Sequence, residues 1–158
     1  MSRRSGGFSL IELVVTLAIL ALLATMAVPF AQLVQQRHKE TELREALRQI
    51  RTALDTYKQA VKDGHVDSPA DGSGYPPDLD VLRQGVADKT QPDASRLYFI
   101  RRLPRDPFYP DASAPPAATW GLRSYASPPE APAAGRDVFD VYSLSGATGL
   151  NGVPYREW

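Results

Sequence analysis

Apolar side chains follow three patterns along this chain. From Phe8 to Val28 they are nearly continuous, FSLIELVVTLAILALLATMAV, broken only by Ser9, Glu12, Thr16 and Thr25. At 1.5 Å per residue a helix over that stretch is about 30 Å long, which matches the hydrocarbon core of a bilayer. Beyond Pro29 the pattern becomes periodic. Leu43, Ala46, Leu47, Ile50, Ala53, Leu54, Tyr57 and Val61 recur at helical spacing, which predicts a helix with one buried stripe. No helix breaker other than Pro29 intervenes before Gly64, so both stretches are expected to form one helix of about 55 residues, about 80 Å long. Pro29 removes a backbone donor and crowds the carbonyl of Thr25, and a kink or a locally melted turn is expected there.

Opposite the stripe lie Glu40 with Arg44, Glu45 with Arg48, and Arg51 with Asp55. Pairs three or four residues apart on an exposed helix contribute tenths of a kcal/mol, and most of these charges read as a solvated face. His38, between Arg37 and Lys39, is expected to face solvent, while His65 beside Gly64 reads as punctuation at the helix end.

The third pattern, past residue 63, is short and interrupted. DGHVDSPADGSGYPPD is dense in turn residues and reads as a loop whose Tyr75 packs back on the long helix, followed by a helical turn over Leu79 to Gln84. RLYFIRRLPRDPF opens with a compact apolar group, Leu97 to Ile100, and turns at Pro104 and Pro107. TWGLRSYAS and RDVFDVYSLS alternate aromatic and β-branched residues as strands do, and the proline-rich SPPEAPAAG between them reads as a mobile hairpin loop. A small antiparallel sheet covering the helical stripe buries both elements at once. This is an α+β architecture with Leu47, Leu54, Tyr57, Val138 and Val141 or its neighbour in its core.

Composition sharpens that division. Of 14 prolines only Pro29 falls within residues 8 to 63, and none of the 11 glycines does. The 158 residues suit one modest domain plus a membrane segment, and 18 basic against 18 acidic side chains give no support to nucleic-acid binding. With no cysteine, the fold has neither disulfides nor thiolate chemistry. Two poorly placed histidines, no phosphate loop and no metal-ligand cluster argue against an enzyme. Asp106 and Asp140 read as capping and pairing residues.

Arg3 and Arg4 precede the apolar run without a competing acid, which keeps the N-terminus cytoplasmic and sends the rest of the chain across the membrane. A cleaved secretory signal is one rival, since Thr25-Met26-Ala27 loosely resembles its cleavage pattern; a plain signal anchor is another. Neither explains Glu12. Charge near the bilayer centre costs roughly 2.5 to 3.5 kcal/mol, less near the surface, so such an acid needs a partner.

Gly6-Gly7-Phe8-Ser9-Leu10-Ile11-Glu12-Leu13, behind a short basic leader, resembles the class III leader of the type IV pilin-like family. The resemblance implies that residues 1–7 are a leader cut between Gly7 and Phe8 by a prepilin peptidase, which then methylates the Phe8 amine. It also implies that residues 8–29 form the transmembrane and assembly helix, that 30–63 continue it, and that 64–158 form a periplasmic globular part. Glu12 lies four residues after Phe8, on the same helix face. The resemblance implies that its partner is the amine of a neighbouring subunit; pairing within one chain stays open.

YFIRRLPRDPF, WGLRSY, FDVYSLSGATGLNG and Trp158 resemble, within that family, the major pseudopilin family of type II secretion, general secretion pathway protein G. YPDASAPPAAT departs from its pattern and reads as a surface insertion. The resemblance implies a homopolymer joined through N-terminal helices, minor pseudopilins, an inner-membrane secretion platform and a cytoplasmic ATPase. It places the chain in a bacterial inner membrane and in a periplasmic filament that helps export folded proteins. A type IV pilus subunit and a membrane-anchored binding module that never polymerises are the alternatives. In that family the loop corresponding to SLSGATGLNGVPYREW carries an aspartate and binds calcium, whereas Thr148 stands at that position here. No acid falls between Ser143 and Arg156, although calcium prefers six to eight oxygens including carboxylates. The expectation is no cofactor, with the loop closed by glycine turns at Gly146, Gly149 and Gly152 and anchored by Tyr155 and Trp158.

Overall fold

The computed structural model describes residues 7–68, 72–91 and 95–158, apart from the side chains of Met26 and Ala27. Arg3, Arg4 and Gly6 of the leader, and Pro69 to Asp71 of the first loop, lie outside the described residues. The chain divides into two compact units, Met1–His38 and Lys39–Trp158. Helix α1, Leu10–Lys62, contributes to both.

Helical hydrogen bonding continues through Pro29, so the melted turn anticipated there does not form. A proline deletes one amide donor, and the turns on either side keep theirs. The helix ends where expected. Gly64 takes a left-handed φ of 80° that a side chain would strain, and the amides of Asp63 and His65 bond back to the carbonyls of Gln59 and Ala60 at 2.9 Å.

In the first unit the described apolar side chains of α1 are exposed, apart from half-buried Leu33. This helix is long and apolar enough to cross a membrane. The second unit holds the core. Leu43, Ala46, Leu47, Ile50, Ala53, Leu54 and Tyr57 form a continuous buried stripe on α1, and each large aliphatic side chain there is worth about 1.5–3 kcal/mol of burial.

The stripe is covered by segments joined more by turns than by sheet. Helix α2, Asp80–Gln84, buries Leu82, and Asp78 caps its start by accepting from the Val81 amide at 3.0 Å. A small antiparallel pair not anticipated from the pattern, β1 (Val86–Ala87) with β2 (Arg96–Leu97), follows. The two strands expected from alternation form the second pair, β3 (Trp120–Arg123) and β4 (Asp140–Ser143), with Leu122 opposite Val141 and Gly121 opposite Tyr142. All five expected core residues, Leu47, Leu54, Tyr57, Val138 and Val141, are buried. SPPEAPAAG lies mostly exposed between β3 and β4, held where the Ser124 amide meets the Ala133 carbonyl at 2.9 Å.

Buried polar groups tie these segments together. Asp106 accepts from the Phe108 amide and the Ser143 hydroxyl, and its own amide donates to Thr119 Oγ1, so the LPRDP turn is fastened to β4. Trp120 Nε1 donates to the Pro104 carbonyl at 2.9 Å. Asp140 pairs with Arg51 and Arg123. Asp106 and Asp140 thus serve as the capping and pairing residues expected of them. Tyr75 is buried under Lys58, whose ammonium lies 4.2 Å from its ring centre.

His38 is exposed, as expected, but His65 does more than end the helix. Its Nδ1 approaches Asp88 Oδ1 at 3.1 Å, and Thr90 donates to that same oxygen through hydroxyl and amide. Those Thr90 bonds, with the His65 contact behind them, hold the Asp88 carboxyl below its ordinary pKa. Burial pushes the Asp137 carboxyl upward, but hydrogen bonds from the Ser124 and Ser73 hydroxyls and the Tyr125 amide outweigh it and leave that group low as well. A carboxyl lowered by folding binds fewer protons in the native state, so its stabilisation is complete above its unfolded pKa of about 4 and disappears as pH falls through the folded value. Acid titration of thermal stability should show Asp88→Asn destabilised at neutral pH, with the gap from wild type closing below about pH 4. A gap constant from neutral to strongly acid pH would contradict this assignment.

Candidate processing and assembly site

Gly7, Phe8 and Ser9 precede α1, and the Leu13 amide bonds to the Ser9 carbonyl at 3.2 Å, so Ser9 opens the helix. A Cβ built on Gly7 meets nothing within 4 Å, and the φ of Gly7 is not left-handed. Neither packing nor backbone conformation therefore requires glycine at residue 7. What a glycine offers there is close approach for another molecule to an extended backbone. Phe8 is 77 % exposed on the other side of the same peptide bond.

Thr16 and Thr25 interrupt the apolar surface, but each turns its hydroxyl onto a carbonyl of its own helix, Leu13 at 2.9 Å and Leu22 at 2.7 Å. Glu12 has no such outlet. It is exposed in the first turn of α1, and among the described residues no ion pair or side-chain hydrogen bond engages it. Its neighbours Leu10, Ile11, Leu13 and Val15 are exposed apolar residues. A free carboxylate within an unburied apolar surface is a strong attachment point for a cation as soon as that surface leaves water.

In the second unit the C-terminal segment is built onto α1. Glu40, assigned above to the solvated face, is 3 % exposed. Its Oε1 accepts from the Leu150 amide at 2.8 Å and the Tyr155 hydroxyl at 3.0 Å, and Arg44 lies 3.6 Å from its Oε2. Arg51 does not pair with Asp55; it donates to Asp140 Oδ1 at 2.8 Å, the Val141 carbonyl at 3.2 Å and the Trp158 main-chain oxygen at 2.8 Å. Only Glu45 with Arg48 keeps the expected exposed pairing, at 3.1 Å. Helical spacing identified neighbours along α1 but carried no information about groups arriving from more than 80 residues away.

Tyr155 is fully buried, stacks on Phe108 with ring centres 4.0 Å apart and meets Trp158 edge-on at 5.0 Å. The Arg44 guanidinium lies 4.1 Å over Trp158. The expected anchors thus hold, but the three glycines differ in role. Gly152 alone of them turns with a positive φ, 80°. Gly149 is required for space, since a Cβ there would lie 2.5 Å from Trp158 and 2.8 Å from Asn151, and Gly146 faces open space.

The donor set does not suit the calcium implied by the family resemblance. Thr148 is exposed, Asn151 Oδ1 accepts from the Val153 amide at 3.1 Å, and the Glu40 carboxylate that reaches this segment faces hydrogen-bond donors. Among the described residues no group of three or more His, Cys, Asp or Glu side chains could hold a metal ion.

Comparison with known proteins gives two results. Residues 2–28, which include Gly7, Phe8 and Glu12, match the family model for the prokaryotic N-terminal methylation motif. Over 112 residues the chain is 31 % identical to the type II secretion system core protein G of Dickeya chrysanthemi, a match covering 68 % of this chain and 66 % of that one. It is 29 % identical to the core protein G of Klebsiella michiganensis and 30 % to that of Klebsiella pneumoniae, over 72 % and 73 % of their lengths. No solved structure matches the chain.

The unequal glycines give a direct test of the C-terminal packing. Gly149→Ala should lower stability by about 1–3 kcal/mol through overpacking, whereas Gly146→Ala should stay within about 0.5 kcal/mol of wild type. Denaturant unfolding measures both, and equal effects would contradict the packing described.

Proposed function

The chain belongs to the family of type II secretion system core protein G, and from that premise we propose how this pseudopilin is processed and assembled. A prepilin peptidase removes residues 1–7 by cutting between Gly7 and Phe8, then methylates the new Phe8 amine. Residues 8–29 anchor the subunit in the inner membrane with residues 64–158 in the periplasm. Many copies then polymerise through their N-terminal helices into a short filament that helps folded proteins across the outer membrane.

One observation carries this reading: a carboxylate without a partner among the described residues, Glu12, lies four residues beyond the peptide bond to be cut, on the membrane-length stretch of α1, whose apolar side chains are largely exposed. Cutting that bond creates a cation at Phe8. In lipid an acid without a partner is costly, and the methylated amine of an adjacent subunit neutralises it while setting the axial position of one helix against the next. The open space around Gly7 supports the choice of bond, because a peptidase can reach the backbone there unobstructed.

Two measurements test the reading. Intact mass of the membrane-extracted protein, made together with its prepilin peptidase, should show loss of residues 1–7 and gain of one methyl group; an unshortened chain overturns the proposed processing. Glu12→Ala should leave the globular unit folded by circular dichroism while crosslinked polymer falls by tenfold or more, about 1.4 kcal/mol per contact. Normal filaments from that variant would remove Glu12 from the assembly mechanism.

A further inference from the structure

We propose that the Glu40 carboxylate is the built-in anchor of the C-terminal segment, so that residues 143–158 order against α1 with no divalent cation. This goes beyond the processing and assembly reading and does not depend on it. The argument rests on polarity. A cation site gathers oxygen acceptors around one point, with carbonyls and carboxylates turned inward. Here the segment turns donors inward. The Leu150 amide and the Tyr155 hydroxyl converge on one carboxylate oxygen at 2.8 and 3.0 Å, and that oxygen belongs to a buried residue of α1.

The rest of the segment closes on itself around that point. The Gly149 amide reaches the Val153 carbonyl at 2.9 Å, the Tyr155 amide reaches the Ala147 carbonyl at 3.1 Å, and Thr148 bridges Pro154. Three side-chain acceptors of the segment are engaged within the protein. Asn151 Oδ1 takes the Val153 amide, Ser145 Oγ takes the Ala147 amide at 3.3 Å, and Ser143 Oγ takes the Ser145 amide at 3.1 Å while donating to Asp106. A cation brought to this point would meet the positive ends of two hydrogen-bond dipoles, and to reach Glu40 it would have to displace both. Arg51, bonded to the Trp158 main-chain oxygen, fixes the far end of the segment to the same helix.

The full chain in detergent provides the test, with calcium chloride as the probe. Its melting temperature should be the same in excess chelator and in millimolar calcium, whereas a cation site filled a hundredfold above its dissociation constant would raise it by several degrees. Hydrogen exchange at the Leu150 amide should accelerate by about tenfold or more in Glu40→Ala, the factor expected when a charge-assisted hydrogen bond is lost. Added calcium should not restore it. If Glu40→Ala fails to fold, Glu40→Gln supplies the same readout, because an amide removes the charge while keeping the shape. A calcium-dependent rise of several degrees in the wild type overturns the proposal, and so does a Leu150 amide as slow in Glu40→Gln as in wild type. Both readouts lie in the second unit and are unaffected by whether residues 1–7 are removed, so failure here and failure of the processing reading are distinguishable.

Discussion

The apolar stripe of α1 from Leu43 to Tyr57 cannot be left in water, and the globular half of the chain is organised around covering it. No single element on the other side is large enough. The sheet pairs are two and four residues long per strand, so most of the cover comes from turns, a five-residue helix and a C-terminal segment. Such segments cannot satisfy one another's backbone groups through long ladders. They are held instead by polar side chains, buried at Asp106 and Glu40 and partly exposed at Arg51: Asp106 between the LPRDP turn and β4, Arg51 between α1 and β4, and Glu40 between α1 and residues 150 to 155. Apolar burial supplies the driving force, and these polar bonds select one arrangement of the turns.

Two acids on α1 show how context sets the role of a carboxylate. Glu40 is enclosed and surrounded by donors, so its charge is used within the chain. Glu12 stands on an uncovered apolar surface without a partner among the described residues, so its charge is available to another molecule. The threonines of the same stretch, which turn inward onto helix carbonyls, make the contrast sharper. A hydroxyl is satisfied by donating to a carbonyl of its own helix, whereas a carboxylate can only accept, and Glu12 takes no side-chain hydrogen bond among the described residues.

Much of the fold was legible because it is local. Apolar periodicity located α1 and its buried face, Gly64 marked its end, and alternation located β3 and β4. The β1 and β2 strands escaped notice because two residues are too few to show a period of two. Asp88 was equally hidden. Its contacts, Thr90 and His65, include one residue 23 positions earlier in sequence, and no spacing rule connects them.

The sequence by itself determined the membrane-length apolar helix, the short N-terminal motif around Gly7, Phe8 and Glu12, and the stripe that demands a cover, because each is written in neighbouring residues of a regular helix. Only the tertiary structure decided which charges are inside. Glu40 and Arg51 occupy helix positions whose spacing matches a solvated face, and they become buried or cross-linking because segments far along the chain bring an amide, a phenol and main-chain oxygens to them. Periodicity shows which face of a helix is apolar, but the partner of a polar residue at the edge of that face depends on where the rest of the chain packs.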